Sequence, residues 1–302
     1  MIFINPSYKI IEQSTSEDPI TNAKKQVEIA ARCCYKSEDM ITDDSYNKMY
    51  DRLLSSGHTS CLEHGTIYLY IELGSPLIDN KYEEKIIIIN FFSKNKYSKV
   101  AQHRINITGL STIPTFYITT NLRVIEEQFP YGDGKLRWEN HQLTVNREQL
   151  ESYFVNPPDV SKFYKRISVK FICDRAIAMQ ILRHRIFSFA MQSQRYCNYS
   201  KGKFGREITY ISPEYNAPKF EEILKATEDA YFYLLAIGWK PEQARKVLPN
   251  ATATELFVTG FIEDWEWFFK LRSTNERGKP DDEMIRIAIP LKEEFEKLWL
   301  IK

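Results

Sequence analysis

Residues 180–196 read Gln180-Ile-Leu-Arg183-His184-Arg185-Ile-Phe-Ser-Phe-Ala-Met-Gln-Ser193-Gln-Arg195-Tyr196 and decide the interpretation of the chain. This stretch combines three arginines and a histidine with three glutamines. The residues before it, 176–182, are apolar enough for a packed helix, and Asp174 is placed to cap that helix because its carboxylate can accept from free backbone N–H groups. The cations then follow the helix C-terminus, where the negative end of the helix dipole favours them.

The basic triplet has a simple interpretation, since Lys, Arg and His often collect at helix ends and only interact with carbonyls. However, consecutive helical residues point about 100° apart, so Arg183, His184 and Arg185 cannot all share one solvent face. Arg195 follows in a run of small and amide side chains that suit hydrogen bonding. The planar fork of arginine suits phosphates and carbonyl-rich rings. The cluster therefore indicates a site for an anion and a heterocycle.

Composition narrows the classes of function. The chain has 302 residues and a formal charge of +1, so it lacks the basic excess that is typical of nucleic-acid partners. Its five cysteines form no CxxC pair and its five histidines form no HExxH pair, so we expect no metal. The odd number of cysteines indicates reduced thiols. No signal peptide is evident, and the longest aliphatic run, residues 86–89, is too short to span a bilayer. We expect a cytoplasmic protein without a membrane partner.

Hydrophobic periodicity predicts an α/β (α+β) fold with a helical C-terminal part. Strands are predicted over 66–73 and 167–173. Helices are predicted over 20–34, 43–56, 217–237, 241–248, 251–271 and 281–299. We expect a single elaborated domain over residues 1–302, in which helices flank a central mixed or antiparallel sheet.

Four sequence elements together resemble the flavin-dependent thymidylate synthases. Arg183-His184-Arg185, seven residues and then Ser193-Gln-Arg195-Tyr196 is similar to the family signature. The other three elements are His58-Thr-Ser60-Cys-Leu-Glu63-His64, Ala244-Arg245-Lys-Val-Leu-Pro249 and Leu271-Arg272. All four follow the family order, and the matching chain spans residues 20–299.

Relative to that family, residues 74–164 form a variable insertion. The stretch contains Pro114, Tyr131-Gly-Asp-Gly134 and Pro157-Pro158 as turn signals, and a helix is predicted near 118–128. A second independent domain is the alternative, and we favour the single domain because the hydrophobic content of the stretch looks thin.

The resemblance implies reductive methylation of dUMP to dTMP. Methylenetetrahydrofolate would donate the one-carbon unit, and NADPH would reduce the FAD that supplies the hydride. The resemblance also implies a homotetramer with FAD held between subunits. The flavin-side elements lie far apart in the chain, at 58–64 and 183–185, and a symmetric interface is a simple way to join such segments.

The resemblance assigns roles to individual residues. Arg272 would be the catalytic residue, placed against the uracil ring to favour its ionised imide. Substrate contacts would come from Gln180, Gln192, Ser193, Gln194, Arg195, Arg245 and Arg272. Flavin contacts would come from Ser60, Glu63, Arg183, His184 and Arg185. We expect Ser193 to bind phosphate and not to act as a nucleophile, because serine needs an adjacent base.

The chain departs from the family at several positions. Ala190 and Met191 stand where many members have Asn-Glu, which leaves Gln192 as the available substitute. Phe261, Glu263 and Glu276 replace Asn, Arg and His. Because of these departures, a related flavin-dependent methylase that acts on another pyrimidine nucleotide is an alternative function. A non-catalytic nucleotide- or RNA-binding protein is the alternative from another class, although the near-neutral charge speaks against it.

Overall fold

The computed structural model describes residues 1–106, 112–130, 135–137, 144–157, 159–202 and 205–301. These residues form ten α-helices and twelve β-strands. The strands are β1 (Ile2–Ile4), β2 (Ser7–Ile11), β3 (Thr66–Glu72), β4 (Lys99–Asn106), β5 (Thr112–Asn121), β6 (Lys135–Arg137), β7 (Thr144–Asn146), β8 (Phe154–Val155), β9 (Arg166–Asp174), β10 (Ser188–Met191), β11 (Thr209–Ile211) and β12 (Ala253–Phe261). The α-helices are α1 (Pro19–Tyr35), α2 (Ser45–Ser55), α3 (Tyr82–Lys94), α4 (Leu122–Gln128), α5 (Arg147–Glu151), α6 (Arg175–Ile181), α7 (Pro218–Ala236), α8 (Pro241–Ala244), α9 (Ile262–Arg272) and α10 (Asp282–Lys297).

The mixed α/β fold class with antiparallel sheets is confirmed. The chain divides into two compact units, and each is described by itself. The first unit comprises Met1–Ile11, Ala30–Met40 and Ile167–Lys302, and the second comprises Glu12–Ile29 and Ile41–Arg166. The assignment of residues 1–302 to one family domain with an insertion at 74–164 stays a proposal.

A four-stranded sheet in the order β10-β12-β9-β2 organises the first unit. Strands β2 and β9 pair antiparallel, as do β10 and β12. Side chains from β9, β12, α6, α9 and α10 form one buried apolar core around Trp265, whose indole Nε1 donates to the Ile167 carbonyl at 3.2 Å. This core fixes the strand end and the helix that precede the basic triplet.

The predicted helix over 251–271 is wrong in its first half. Residues 253–261 form β12, and the helix α9 begins only at Ile262. Eight of the nine β12 residues are buried, since the strand lies between β10 and β9, and its β-branched and aromatic side chains suit such a central strand. Helix α9 begins where the Asp264 carboxylate accepts from the Phe261 backbone N–H at 3.0 Å.

Gly260 lies at a close approach within this core. A Cβ atom at this position would come within 2.1 Å of Phe187 Cδ1, so the ring occupies the space of a side chain. Phe187 in turn packs against Trp265, with ring centroids 4.6 Å apart, and against His184, at 6.0 Å. The absence of a side chain at 260 therefore permits the packing beside His184.

The second unit contains an antiparallel sheet in the order β4-β5-β3-β8. Its apolar residues Ile88, Phe92, Ile118 and Phe129 are fully buried. All four come from the stretch 74–164, so apolar side chains of this stretch form a buried core. Apolar runs on α3 and β5 supply a core because a helix and a strand each bury one face.

The helix predicted near 118–128 is confirmed only over 122–128. Residues 118–121 complete β5, and Asn121 caps α4 by accepting from the Val124 N–H at 3.1 Å. The turn predicted at 131–134 and the Pro158 position lie outside the described residues.

Other element predictions are confirmed with small shifts. They are the helices α1, α2, α7 and α10 and the strands β3 and β9. The predicted helix over 241–248 is instead the short α8 followed by a 3₁₀ helix, Arg245–Val247. Within the described residues, none of the helices combines the length and apolar character that a membrane crossing needs.

Candidate functional site

The helix before the basic triplet is capped as predicted. The Asp174 carboxylate accepts from the Ile177 N–H at 2.7 Å, and burial raises the pKa of Asp174. After α6, His184 is buried, whereas Arg183 and Arg185 are exposed. The triplet therefore divides between the interior and the surface, in a turn that follows the end of α6 at Ile181.

Arg272, Gln180 and His184 form one hydrogen-bonded cluster. The Arg272 guanidinium donates from Nε to His184 Nε2 at 3.0 Å, from one terminal nitrogen to Gln180 Oε1 at 3.2 Å, and from the other to the Gln180 carbonyl at 3.0 Å. Gln180 Nε2 then donates to Asp281 at 2.9 Å. Three directed bonds on one planar fork hold the guanidinium in a single orientation.

His184 is neutral in this arrangement, because a ring nitrogen that accepts from arginine carries no proton. Burial and the nearby Arg272 charge lower the pKa of His184 to about 4. The ring packs on Phe268, with centroids 5.1 Å apart. Burial and the charge of Arg183 lower the pKa of Arg272 itself, which stays a cation.

A cavity of about 420 Å³ opens beside this cluster. Its lining residues are Gln180, Leu271, Arg272, Arg277, Gly278, Lys279, Pro280 and Asp281. Three cations against one carboxylate favour an anionic or carbonyl-rich ligand. The Arg277 guanidinium lies over the Trp267 ring, 5.6 Å from its centroid, which steadies this wall of the cavity.

The motif serine segment follows β10 and is held by backbone contacts. Ser193 N–H donates to the Cys34 carbonyl at 2.9 Å, and Gln192 N–H donates to the Glu255 carbonyl at 2.8 Å. Gln192 Oε1 also accepts from the Glu255 N–H at 3.3 Å, so this side chain extends the β12 pairing. Ser193 Oγ accepts from the Arg195 N–H at 3.3 Å, which stabilises a turn.

The two arginines assigned to a phosphate lie on adjoining segments of the first unit. Arg195 is exposed, and its Nε lies 3.7 Å from the exposed Glu242 of α8, directly before the Ala244-Arg245 element. Gln194, between Ser193 and Arg195, is buried, and its side chain hydrogen-bonds the Tyr199 phenol.

The upstream residues Ser60 and Glu63 belong to the second unit. They lie on the 3₁₀ helix Thr59–His64, where Ser60 is exposed. The Glu63 carboxylate accepts from Arg123 at 2.6 Å, and the Glu63 carbonyl accepts from Arg166 at 2.9 Å. Glu63 is thus already ion-paired within its unit, a contact that sequence reasoning missed because Arg123 lies 60 residues away.

Cys33, Glu38 and Glu255 in the first unit place three potential metal-ligand atoms within 4.8 Å of one another. Lys170 Nζ lies 2.9 Å from Glu38 and 2.6 Å from Glu255, and Lys36 also pairs with Glu255. Ammonium groups therefore supply the positive charge at this cluster, and Glu255 joins it to the Gln192 segment through the backbone bond described above.

The chain belongs to the family described as thymidylate synthase complementing protein, whose model matches residues 17–151 and 164–299. The resemblance inferred from the four motifs is thereby confirmed.

Similar proteins include flavin-dependent thymidylate synthases. One from Geobacter sulfurreducens is 39% identical over 100 residues, or 32% of this chain and 43% of that protein. One from Pyrobaculum aerophilum is 42% identical over 81 residues, which are 27% of this chain and 30% of that protein. These alignments span less than half the length of either relative. A structure of the UMP/dUMP methylase PolB from Streptomyces cacaoi bound with 5-Br dUMP has a TM-score of 0.39 and 20% identity, covering 46% of this chain and 69% of that one.

Proposed function

We propose that this chain is a flavin-dependent thymidylate synthase. It would convert dUMP to dTMP with methylenetetrahydrofolate as one-carbon donor and NADPH as reductant of FAD. Family membership supports the proposal. The observation that carries it is Arg272, held by Gln180 and His184 at the wall of a cationic cavity.

Carbon 5 of uracil is a poor nucleophile, and a methylase must draw negative charge onto the imide side of the ring. A fixed cation in a partly desolvated pocket does this well, because it does not have to reorganise as the charge develops. Arg272 has that character, since its three hydrogen bonds are already made inside the protein. Neutral His184 adds no competing positive charge beside it.

The described residues fit a flavin with a charged pyrophosphate. Arg183 and Arg185 are exposed, and neither has an ion pair within the described ranges, so both remain available to phosphate oxygens. FAD, when bound, supplies hydride chemistry that no side chain provides. We assign Arg183, His184, Arg185, Ser60 and Glu63 to its binding.

For the nucleotide we assign Gln180, Gln192, Ser193, Gln194, Arg195 and Arg245. The structural observation that supports this part of the assignment is the exposed Arg195, whose Nε lies 3.7 Å from Glu242, three residues before Arg245. Gln192 contributes by its position, because both its backbone and its side chain are bound to Glu255.

We further propose a cytoplasmic homotetramer in which FAD is shared between subunits. Arg183→Ala and Glu63→Ala subunits should each be inactive alone, and their mixture should regenerate some intact sites. Light scattering and methyl transfer by the mixture test this. A monomer, or a mixture as inactive as its parents, contradicts a shared site.

The function itself is tested by incubating the purified protein with dUMP, methylenetetrahydrofolate, FAD and NADPH and measuring dTMP by mass spectrometry. UMP and dCMP serve as parallel substrates, because Ala190 and Met191 motivate a sibling methylase as the second candidate. Methylation of UMP or dCMP alone would establish that sibling. A colourless protein without turnover on any of the three would leave the nucleotide- or RNA-binding alternative.

A further inference from the structure

Arg175, the first residue of α6, lies outside all four motif elements. Its backbone N–H donates to the Asn250 carbonyl at 2.9 Å, which joins the start of α6 to the turn after the Arg245 3₁₀ helix. The Arg175 side chain is half-buried. The fold thus brings this arginine to the segment that carries Arg245.

Arg175 is a half-buried cation within the electrostatic influence of a second cation, Arg245. Burial lowers the pKa of Arg175, and the charge of Arg245 lowers it further, while the Tyr199 phenol acts in the opposite direction. Neither arginine has an ion pair among the residues that the structure describes. A half-buried cation beside a second cation is unfavourable in the free protein, and a bound anion would relieve it.

Neutral hydrogen-bond donors accompany the two arginines. Tyr199 is buried and packs in the same apolar cluster as Ala244, the residue before Arg245. The Gln194 side chain hydrogen-bonds the Tyr199 phenol. Two fork-shaped cations match the oxygens of a phosphate monoester.

We propose that Arg175 is a further substrate-binding residue, which together with Arg245 contacts the 5′-phosphate of the pyrimidine nucleotide. This inference rests on the proposed function, which assigns the phosphate to Arg195, Arg245 and Ser193. It deepens that function by making the site selective for a dianionic monophosphate over the free nucleoside. A phosphate monoester carries about −1.5 to −2 charge at pH 7, enough to offset both half-buried cations.

The test compares the Kd of dUMP and of deoxyuridine, measured by calorimetry, for wild type and three variants. Arg175→Gln removes the charge and keeps an amide, and Arg175→Lys keeps the charge and loses the fork. Lys246→Gln is the matched control, because Lys246 is an exposed cation next to Arg245. Thermal unfolding of each variant verifies that it folds.

We expect Arg175→Gln to weaken dUMP binding about tenfold or more and to leave deoxyuridine binding within twofold. The dUMP affinity of Arg175→Lys should lie between those of wild type and Arg175→Gln, and the dUMP affinity of Lys246→Gln should equal that of wild type. Added inorganic phosphate should compete with dUMP more effectively in wild type than in Arg175→Gln.

Unchanged dUMP binding in Arg175→Gln, or an equal loss for dUMP and deoxyuridine, overturns the inference. The proposed function fails separately if wild type binds dUMP but methylates none of dUMP, UMP and dCMP, and the Kd values then still decide the role of Arg175. If wild type binds none of these three monophosphates, both proposals are wrong.

Discussion

Two arginine sites in the first unit differ in how their charges are satisfied. At the first, Arg272 makes three hydrogen bonds to Gln180 and His184, so the protein alone fixes its geometry. At the second, Arg175 and Arg245 have no ion pair in the described structure, and the charge of Arg245 disfavours that of Arg175. A cation that stabilises charge in the transition state is most effective when the protein has already fixed its orientation. Cations that bind a substrate can instead obtain their hydrogen-bond partners from the substrate itself.

The strongest test of this contrast is Arg272→Ala. Loss of one preorganised donor to the uracil ring should cost about 2.7–4 kcal/mol of transition-state stabilisation, or about 100- to 1,000-fold in kcat. FAD binding, measured by flavin absorbance, should be largely retained. Arg277→Ala is the control, because it removes a neighbouring cation of the same cavity. Turnover of Arg272→Ala within threefold of wild type would exclude the catalytic assignment.

The second test concerns the neutral state of His184. Its pKa is about 4 in the folded protein against about 6.5 when unfolded, so the unfolded chain binds more protons between these values. Stability from this residue is therefore present above pH 6.5 and decreases as the pH falls towards 4. We expect the free energy of unfolding of the wild type to fall by about 2 kcal/mol between pH 7.5 and 5, and we expect His184→Gln to lack this decrease.

Urea unfolding of wild type and His184→Gln at the two pH values measures this difference. His103→Gln, at an exposed histidine, should keep the wild-type pH dependence. Equal pH slopes in wild type and His184→Gln would show that His184 is protonated or solvated in the fold.

The smallest expected effect is that of Ser193→Ala. If Ser193 only hydrogen-bonds the phosphate, its loss should weaken nucleotide affinity by about 1.5 kcal/mol, near the low end for a bond to a charged group, with measurable turnover retained. The KM for dUMP should rise more than kcat falls. Mass spectrometric capture of a covalent serine–nucleotide adduct would instead establish Ser193 as a nucleophile.

Sequence reasoning succeeded where a local signal fixed the structure. Asp174 predicted the start of α6. The triplet divides between interior and surface as expected, but in the turn after α6 and not through the rotation of a helix. Sequence reasoning failed at residues 253–261, because a strand buried on both faces shows no clean alternation of apolar and polar residues and the helix α9 follows it without an intervening turn.

The sequence named the residues of the Arg272 cluster but not the contacts between them. The motifs named Gln180, His184 and Arg272, yet their mutual bonds join residues 88 and 92 positions apart, which only the fold brings together. Arg175 gave a weaker signal, because an arginine directly after a helix cap is ordinary. Its interest comes from Arg245, whose proximity no sequence spacing indicates.

Gly260 limits the substitutions that this chain can accept during evolution. Any side chain there would displace Phe187, the ring that packs on both Trp265 and His184. A single added methyl group at 260 would therefore disturb the acceptor of Arg272 without touching a charged residue. Lineages that keep the activity should therefore retain glycine at position 260, unless residue 187 is replaced by a smaller residue at the same time.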